Sequence, residues 1–167
     1  MSSPSDPGHV LRWPAGFSPE CSDVWARSEL IIQAPPAVVF SYLATAPRWG
    51  QHFSGLRGVR LLDPGRGRLE PDSMFGFELG DLRLSAQVTE FVDGCRLAWF
   101  SHGIDISAYH AWVISGDGDL GCSRVLAGFA ARGAAAIALR EPDPSAAQQT
   151  LDRWAADLKA AAESARR

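Results

Sequence analysis

The sequence lacks the excess of basic residues on which nucleic-acid binding depends. Its 167 residues include 16 Lys+Arg against 19 Asp+Glu, for a formal net charge of -3. Contacts to a phosphate backbone draw most of their affinity from cationic side chains. The chain also has no run of about 18 consecutive apolar residues, and its first residues do not combine a positive start with an apolar stretch. We therefore expect no nucleic-acid partner, no membrane span and a cytoplasmic protein.

Cysteine and histidine are too scarce and too scattered for a disulfide framework or a metal site. The three cysteines, Cys21, Cys95 and Cys122, form no CxxC pair and no Cys/His ligand spacing, which favours reduced thiols in a cytosol. There is no GxSxG or HExxH motif, and residues 65–67 do not join a strand to a helix as a dinucleotide loop does. These absences argue against a serine hydrolase, a metalloenzyme and a nucleotide-binding domain, and predict no metal and no cofactor.

The overall composition is typical of one globular domain. The chain is 46% hydrophobic and 21% charged, and a chain of this length buries roughly two-thirds of its unfolded surface. Residues 1–23 are rich in Ser, Pro, Gly and Asp and predict an N-terminal arm, with Trp13 placed to pin it to the body. Residues 24–167 predict a single folded domain.

Hydrophobic periodicity predicts a strand, two short helices, six further strands and one long helix. A β-branched run over 24–33 ends at Ala34-Pro35-Pro36, where a helix begins, and Pro47 opens a second short helix. Turns rich in Gly, Asp and Pro separate the later strands and are typical of antiparallel hairpins. These strands are predicted over 58–62, 73–79, 82–92, 96–102, 106–115 and 123–131.

The C-terminal helix gives the chain its predicted fold class. Asp143-Pro144-Ser145 is a strong helix start, and the residues after it form one apolar stripe at helical spacing: Ala147, Leu151, Trp154, Leu158 and Ala162. An antiparallel sheet with one long helix on a single face is an α+β arrangement. If the sheet curves strongly, it meets the helix over only part of its length, and the space left between them would be the functional site.

Side-chain alternation along each strand predicts which residues face that space. His110 and Trp112 are placed inside rather than Tyr109, because Trp112 and Ile114 bring the larger apolar area to that face of their strand. The predicted ligand-binding set comprises Phe75, Phe77, Val88, Trp99, Ser101, His110, Trp112 and Phe129, together with Tyr42.

Several short segments together resemble a known superfamily. They are 34–40 (APPAVVF), Arg48-Trp49, 88–91 (VTEF), 96–99 (RLAW), 109–112 (YHAW) and the terminal helix over 151–163. Over roughly Trp13 to Ser164 the chain resembles the SRPBCC (START/Bet v 1-like) superfamily, in its polyketide cyclase/dehydratase-like branch. The resemblance implies a helix-grip fold, in which a seven-stranded antiparallel sheet wraps around a long C-terminal helix with a hydrophobic ligand cavity between them.

Two departures weaken the cyclase interpretation. Proteins of this kind often carry acidic residues in the middle of the last strand, whereas residues 124–129 read RVLAGF. Aromatase/cyclases of the superfamily also tend to use an inward arginine, and neither Arg96 nor Arg124 is predicted to face inward.

Three functions follow from these residues. The first is a lipid-binding type of carrier that binds a small hydrophobic, ring-containing or polyketide-like metabolite and orients it through a neutral His110. The second is a cofactor-independent polyketide cyclase, aromatase or dehydratase, in which His110 is the general base and Tyr42, Tyr109 or Ser101 steadies an enolate oxygen. The third is an interaction protein with a closed cavity, which dimerises through Trp13 or Trp25.

The sequence is compatible with two macromolecular partners in addition to a small molecule. One is a second copy of the chain, and the other is an acyl carrier protein attracted by a cluster of basic residues, although a solvated cluster is the favoured interpretation. The cluster consists of Arg57, Arg60, Arg66 and Arg68.

Overall fold

The structure is a computed structural model that describes residues 8–63 and 67–165. Its seven strands are β1 (Val24–Ile32), β2 (Leu56–Leu61), β3 (Met74–Leu79), β4 (Leu82–Val92), β5 (Arg96–Gly103), β6 (Ile106–Asp117) and β7 (Asp119–Arg132). They form one antiparallel sheet in the order β1-β7-β6-β5-β4-β3-β2. The predicted seven-stranded antiparallel sheet is therefore confirmed.

In the part of the chain that the structure describes, four α-helices accompany the sheet, one more than the sequence predicts. They are α1 (Pro36–Ala44), α2 (Trp49–His52), α3 (Ala134–Arg140) and α4 (Ala146–Ser164). Short 3₁₀ helices precede β1 at Pro19–Cys21 and α2 at Ala46–Arg48. The long terminal helix is confirmed as α4, whereas α3 is the unpredicted element. None of the helices in the described ranges is long and apolar enough to cross a bilayer.

Helix α4 protects the free edge of β1, which would otherwise offer unpaired backbone groups to another chain. The Gln148 side-chain amide accepts a hydrogen bond from the Arg27 N–H at 3.2 Å and donates one to the Arg27 carbonyl at 2.7 Å, as a neighbouring strand would. Lys159 Nζ donates to the Ile31 carbonyl at 2.9 Å, further along the same edge. These bonds hold α4 along β1 while its apolar stripe packs into the core.

Large aromatic side chains fill one end of the space between the sheet and the helices. The Trp49 ring packs against Trp99 at 5.2 Å and Phe75 at 5.5 Å between ring centroids, and its Nε1 donates to the Leu43 carbonyl at 3.0 Å. Phe53 extends this group towards α4. This end of the molecule is a solid core.

Described residues of the predicted N-terminal arm cover part of the opposite, convex face of the sheet. Leu11, Trp13 and Phe17 pack on a small cluster that contains Tyr109, with the Trp13 and Tyr109 rings edge to face at 6.3 Å. Arg96, which is 7% exposed, donates to the carbonyls of Gly8 at 2.9 Å and Val10 at 2.8 Å and pairs with Glu90 at 2.6 Å. The sheet therefore buries apolar side chains on both faces.

Gly133 makes the sharp transition from β7 to α3. Its φ of +118° is unfavourable for residues with a side chain, and an added Cβ would overlap with the Asp105 carbonyl oxygen. The same Asp105 oxygen accepts the Ala135 N–H at 3.0 Å, and the Asp23 carboxylate accepts the Gly133 N–H at 2.9 Å. The β5–β6 turn and the residue before β1 thus fix the start of α3.

We predict that Gly133→Ala lowers the free energy of unfolding by about 2 to 3 kcal/mol, because it adds both backbone strain and a clash with a fixed carbonyl. Urea denaturation measures this change. The matched control is Gly116→Ala, where an added Cβ meets no atom within 4 Å, so its stability should stay within about 0.5 kcal/mol of the parent. Equal stability of the two variants would contradict this role of Gly133.

Candidate functional site

A cavity of about 290 Å³ lies between the sheet, α3 and the first half of α4. Its walls are predominantly apolar, and several are formed by small side chains. It opens to solvent beside α3, where Leu139, Arg140, Asp143 and Pro144 are exposed. The lining residues are Val24, Leu79, Gly80, Leu82, Ile106, His110, Phe129, Ala131, Ala136, Leu139, Arg140, Asp143, Pro144, Ala146, Ala147, Thr150, Leu151 and Trp154.

His110 forms the inner wall of this cavity and is 5% exposed. Its ring stacks almost parallel to Trp154, with 5.5 Å between centroids and 11° between planes. Trp112 stacks on it at 5.4 Å and 25°, and Trp99 approaches at 4.7 Å. Trp154 is itself held by a hydrogen bond from its Nε1 to the Ser54 carbonyl at 2.9 Å. Rings on several sides therefore fix the orientation of the imidazole.

Burial in this apolar surrounding lowers the pKa of His110 to about 3, because desolvation disfavours the charged ring. The ionisable residues that line the cavity beside His110 are Arg140 and Asp143, both exposed at its mouth. At neutral pH the imidazole is thus uncharged, with one nitrogen available as a donor and one as an acceptor.

Two buried nitrogens beside the cavity lack a hydrogen-bond partner among the described residues. They are Nε2 of His110 and Nε1 of Trp112, and the Trp112 side chain is 2% exposed. Both residues border a gap of about 10 Å³ behind the cavity wall, and His110 and Trp154 line the gap and the cavity alike. Buried polar groups of proteins are usually paired, so these two nitrogens distinguish the site from an ordinary core.

The mouth of the cavity is polar, in contrast to its interior. Arg140 Nη1 donates to the Asp23 carbonyl at 2.7 Å. The Asp143 carboxylate accepts hydrogen bonds from the Ser145 N–H at 2.9 Å and the Ser145 hydroxyl at 2.6 Å, and these bonds lower the pKa of Asp143. In the described ranges no cluster of three or more potential metal ligands occurs.

The structure brings only part of the predicted ligand-binding set to the cavity. His110 and Phe129 line it, and Trp99 and Trp112 border the small gap behind it. The other five residues line neither space, which corrects the prediction for Phe75, Phe77, Val88, Ser101 and Tyr42. Phe75 and Val88 are buried in the solid core, Ser101 is buried on β5, and Phe77 stacks on Phe75.

Both tyrosines that were predicted to assist His110 lie elsewhere. Tyr42 on α1 packs against His52 at 5.2 Å and does not line the cavity. Tyr109 points to the convex face, where the arm covers it, and desolvation together with the nearby Glu90 raises its pKa to about 12. The structure therefore does not bring Tyr109 to the cavity beside His110, because successive residues of β6 face opposite sides of the sheet.

The predicted basic cluster is divided among separate contacts. Arg57 donates to the Gly80 carbonyl at 3.0 Å, and Arg68 pairs with Asp93 at 3.3 Å. Arg66 lies outside the described residues.

Sequence reasoning missed the wall that α3 and the loop after it contribute. The run AAAIALR over 134–140 has strong helix formers and follows a glycine, and that signal was sufficient to predict a short helix. Ala136 and Leu139 of this helix line the cavity.

Comparison with known proteins identifies the architecture. No model of a protein family and no curated protein matches the sequence. A hypothetical protein from Helicobacter pylori is 24% identical, with a TM-score of 0.83 over 96% of this chain and 98% of that one. A START superfamily protein from Mycobacterium smegmatis is 12% identical, with a TM-score of 0.66 over 84% of this chain and 98% of its own. The chain has a START-like helix-grip fold.

A protein of a biosynthetic pathway shares this START-like fold. The di-domain ARO/CYC StfQ from the steffimycin biosynthetic pathway is 17% identical, with a TM-score of 0.61, and the match covers 82% of this chain and 44% of that one. At these identities the likeness concerns the fold. The SRPBCC-like architecture that the sequence resemblance implied is confirmed.

We predict that the pH dependence of stability contains a component from His110. In the unfolded chain His110 binds a proton near its ordinary pKa of 6.5, whereas in the folded protein it does so only near 3. The unfolded state therefore binds more protons between these values, and stability falls as the pH is lowered through this range. Between pH 7 and pH 5 the parent should lose about 2 kcal/mol more than His110→Phe.

Urea denaturation of both proteins at the two pH values measures the difference. Parallel losses of stability in the parent and in His110→Phe would contradict a neutral, desolvated imidazole.

Proposed function

We propose that the protein binds a small apolar, ring-containing molecule in the cavity between the sheet, α3 and α4. The observation that carries the proposal is an apolar hollow of about 290 Å³ with a buried, neutral imidazole in its wall. Ligand sites of proteins are concave, mostly apolar and equipped with a few polar groups that orient the guest. The names of the START superfamily and ARO/CYC neighbours agree with a small-molecule role.

The volume of the cavity supports a guest about the size of two fused rings. An engineered cavity of about 150 Å³ lined by aliphatic and aromatic side chains binds one benzene. The present cavity has about twice that volume, and flat aromatic surfaces of His110 and Trp154 line it. We therefore choose naphthalene derivatives as probes.

Binding is favoured over a cyclase or dehydratase reaction that begins with proton removal by His110. A general base works best when its pKa lies near the working pH, and a pKa of about 3 makes His110 a weak base. Among the described residues, no carboxylate lines the inner wall to stabilise a protonated imidazole, and Tyr109 faces the other side of the sheet. The imidazole is suited to hydrogen bonding with a guest.

We predict that the naphthalene dye acdan binds to the parent protein with a blue-shifted emission, and that Ala147→Phe weakens this binding at least about tenfold, which corresponds to about 1.4 kcal/mol. Ala147 lines the cavity from α4, so a phenyl ring there occupies part of the space. Fluorescence titration measures both affinities.

The matched control is Ala156→Phe, a substitution on the exposed face of the same helix, which should leave the affinity unchanged. No binding by the parent, or equal weakening by the two variants, would contradict a ligand site in this cavity.

A further inference from the structure

We propose that the guest carries a hydroxyl group on its aromatic ring, and that this hydroxyl bonds to both His110 Nε2 and Trp112 Nε1. The inference rests on the proposed function and names the chemical class of the ligand. Its basis is the pair of buried nitrogens, on side chains 5% and 2% exposed, that have no partner among the described residues.

The two nitrogens limit the chemistry of the group that can satisfy them. The indole Nε1 of Trp112 is only a donor, so the guest atom beside it must be an acceptor. Nε2 of a neutral His110 is a donor in one tautomer and an acceptor in the other. A hydroxyl oxygen can accept from Trp112 and either donate to His110 or accept from it. A carbonyl or ether oxygen can pair with both nitrogens only when Nε2 of His110 carries the proton, whereas a hydroxyl can pair with both in either tautomer. A hydrocarbon pairs with neither nitrogen.

The position of the two residues indicates how deep the hydroxyl lies. His110 and Trp112 both border the gap of about 10 Å³ behind the cavity wall, which is roughly the room that one oxygen atom with its hydrogen requires. The remaining walls of this gap are apolar or aromatic, and His110 and Trp154 line both the gap and the larger cavity. The ring would therefore occupy the cavity and its hydroxyl would point inward, away from Arg140 and Asp143 at the mouth.

Hydrogen bonds at this position should act on selectivity more than on overall affinity. A buried donor left unpaired carries a desolvation cost, and a guest that pairs it recovers that cost. A guest without the hydroxyl gains only from contact with the apolar walls. The ratio of the two affinities thus isolates the polar contribution from the general tendency of the cavity to bind hydrocarbons.

The test compares naphthalene, 2-methoxynaphthalene and 2-naphthol by displacement of acdan from the parent protein, His110→Phe and Trp112→Phe. We expect 2-naphthol to bind the parent about tenfold more tightly than naphthalene, with the methoxy compound in between or equal to naphthalene. In each variant the ratio of naphthol to naphthalene affinity should fall towards one. Tyr109→Phe, which removes a hydroxyl from the convex face, is the control and should keep the parental ratio.

A second measurement uses only the parent protein, in case a variant does not fold. The indole N–H proton of Trp112 should shift downfield in the NMR spectrum when 2-naphthol is added, and not when naphthalene is added. Equal affinities for naphthol and naphthalene, or a ratio that both variants retain, would overturn the hydroxyl proposal. Failure of all three compounds to bind would instead overturn the proposed function.

Discussion

The stacking of Trp154 on His110 divides the space under the sheet into a filled part and an open part. On one side lie Trp49, Trp99 and Trp112, whose rings leave almost no room. On the other side the walls include Ala131, Ala136 and Ala147, which are too small to meet across the space. The cavity therefore follows from a change in side-chain volume along the length of α4, and the Trp154 indole marks the boundary because the Ser54 carbonyl holds it in place.

Contacts made by α3 and α4 fix the distance between α4 and the sheet at the open end of the space under the sheet. Gln148 binds the backbone of β1 at Arg27, which places the first turns of α4 at the sheet edge rather than over its centre. Gly133 then turns the chain into α3, which supplies the missing side of the hollow and leaves the mouth beside Arg140 and Asp143. The interior is apolar and the mouth is polar, as expected where a guest exchanges hydration water for contact with hydrophobic walls.

Strand alternation was sufficient to predict the sheet and the inward direction of His110. It gave no information on whether an inward residue lines the cavity or lies in the filled core. A strand places every second residue on the same face, so Phe75, Val88 and His110 were equivalent candidates in the sequence. The structure separates them because the aromatic rings of α2 and β5 fill the space above Phe75, whereas His110 shares the cavity lining with several alanines. A cavity depends on the combined sizes of side chains that are distant in sequence. The hydrophobic periodicity of each strand or helix carries no information on those combined sizes.

The two apolar faces of β6 have a related explanation. Tyr109 and Ala111 are buried because Leu11 and Trp13 of the arm cover them, so hydrophobicity alone could not distinguish the concave face from the convex one. The arm was expected from its composition, whereas its docking depends on Arg96, whose guanidinium binds two backbone carbonyls of the arm. A single inward-looking pattern on β6 would have needed a solvated outer face there, and the arm covers that part of the sheet.

The account depends most on a desolvated, uncharged imidazole at the inner wall of an apolar cavity. The direct measurement is a ring ¹⁵N NMR titration of His110 in the folded protein. The account predicts the spectrum of neutral imidazole throughout the range from about pH 7 to about pH 4, because burial lowers the pKa to about 3. A protonation midpoint close to the ordinary value of 6.5 would show that His110 contacts water or a negative charge, and would contradict the account.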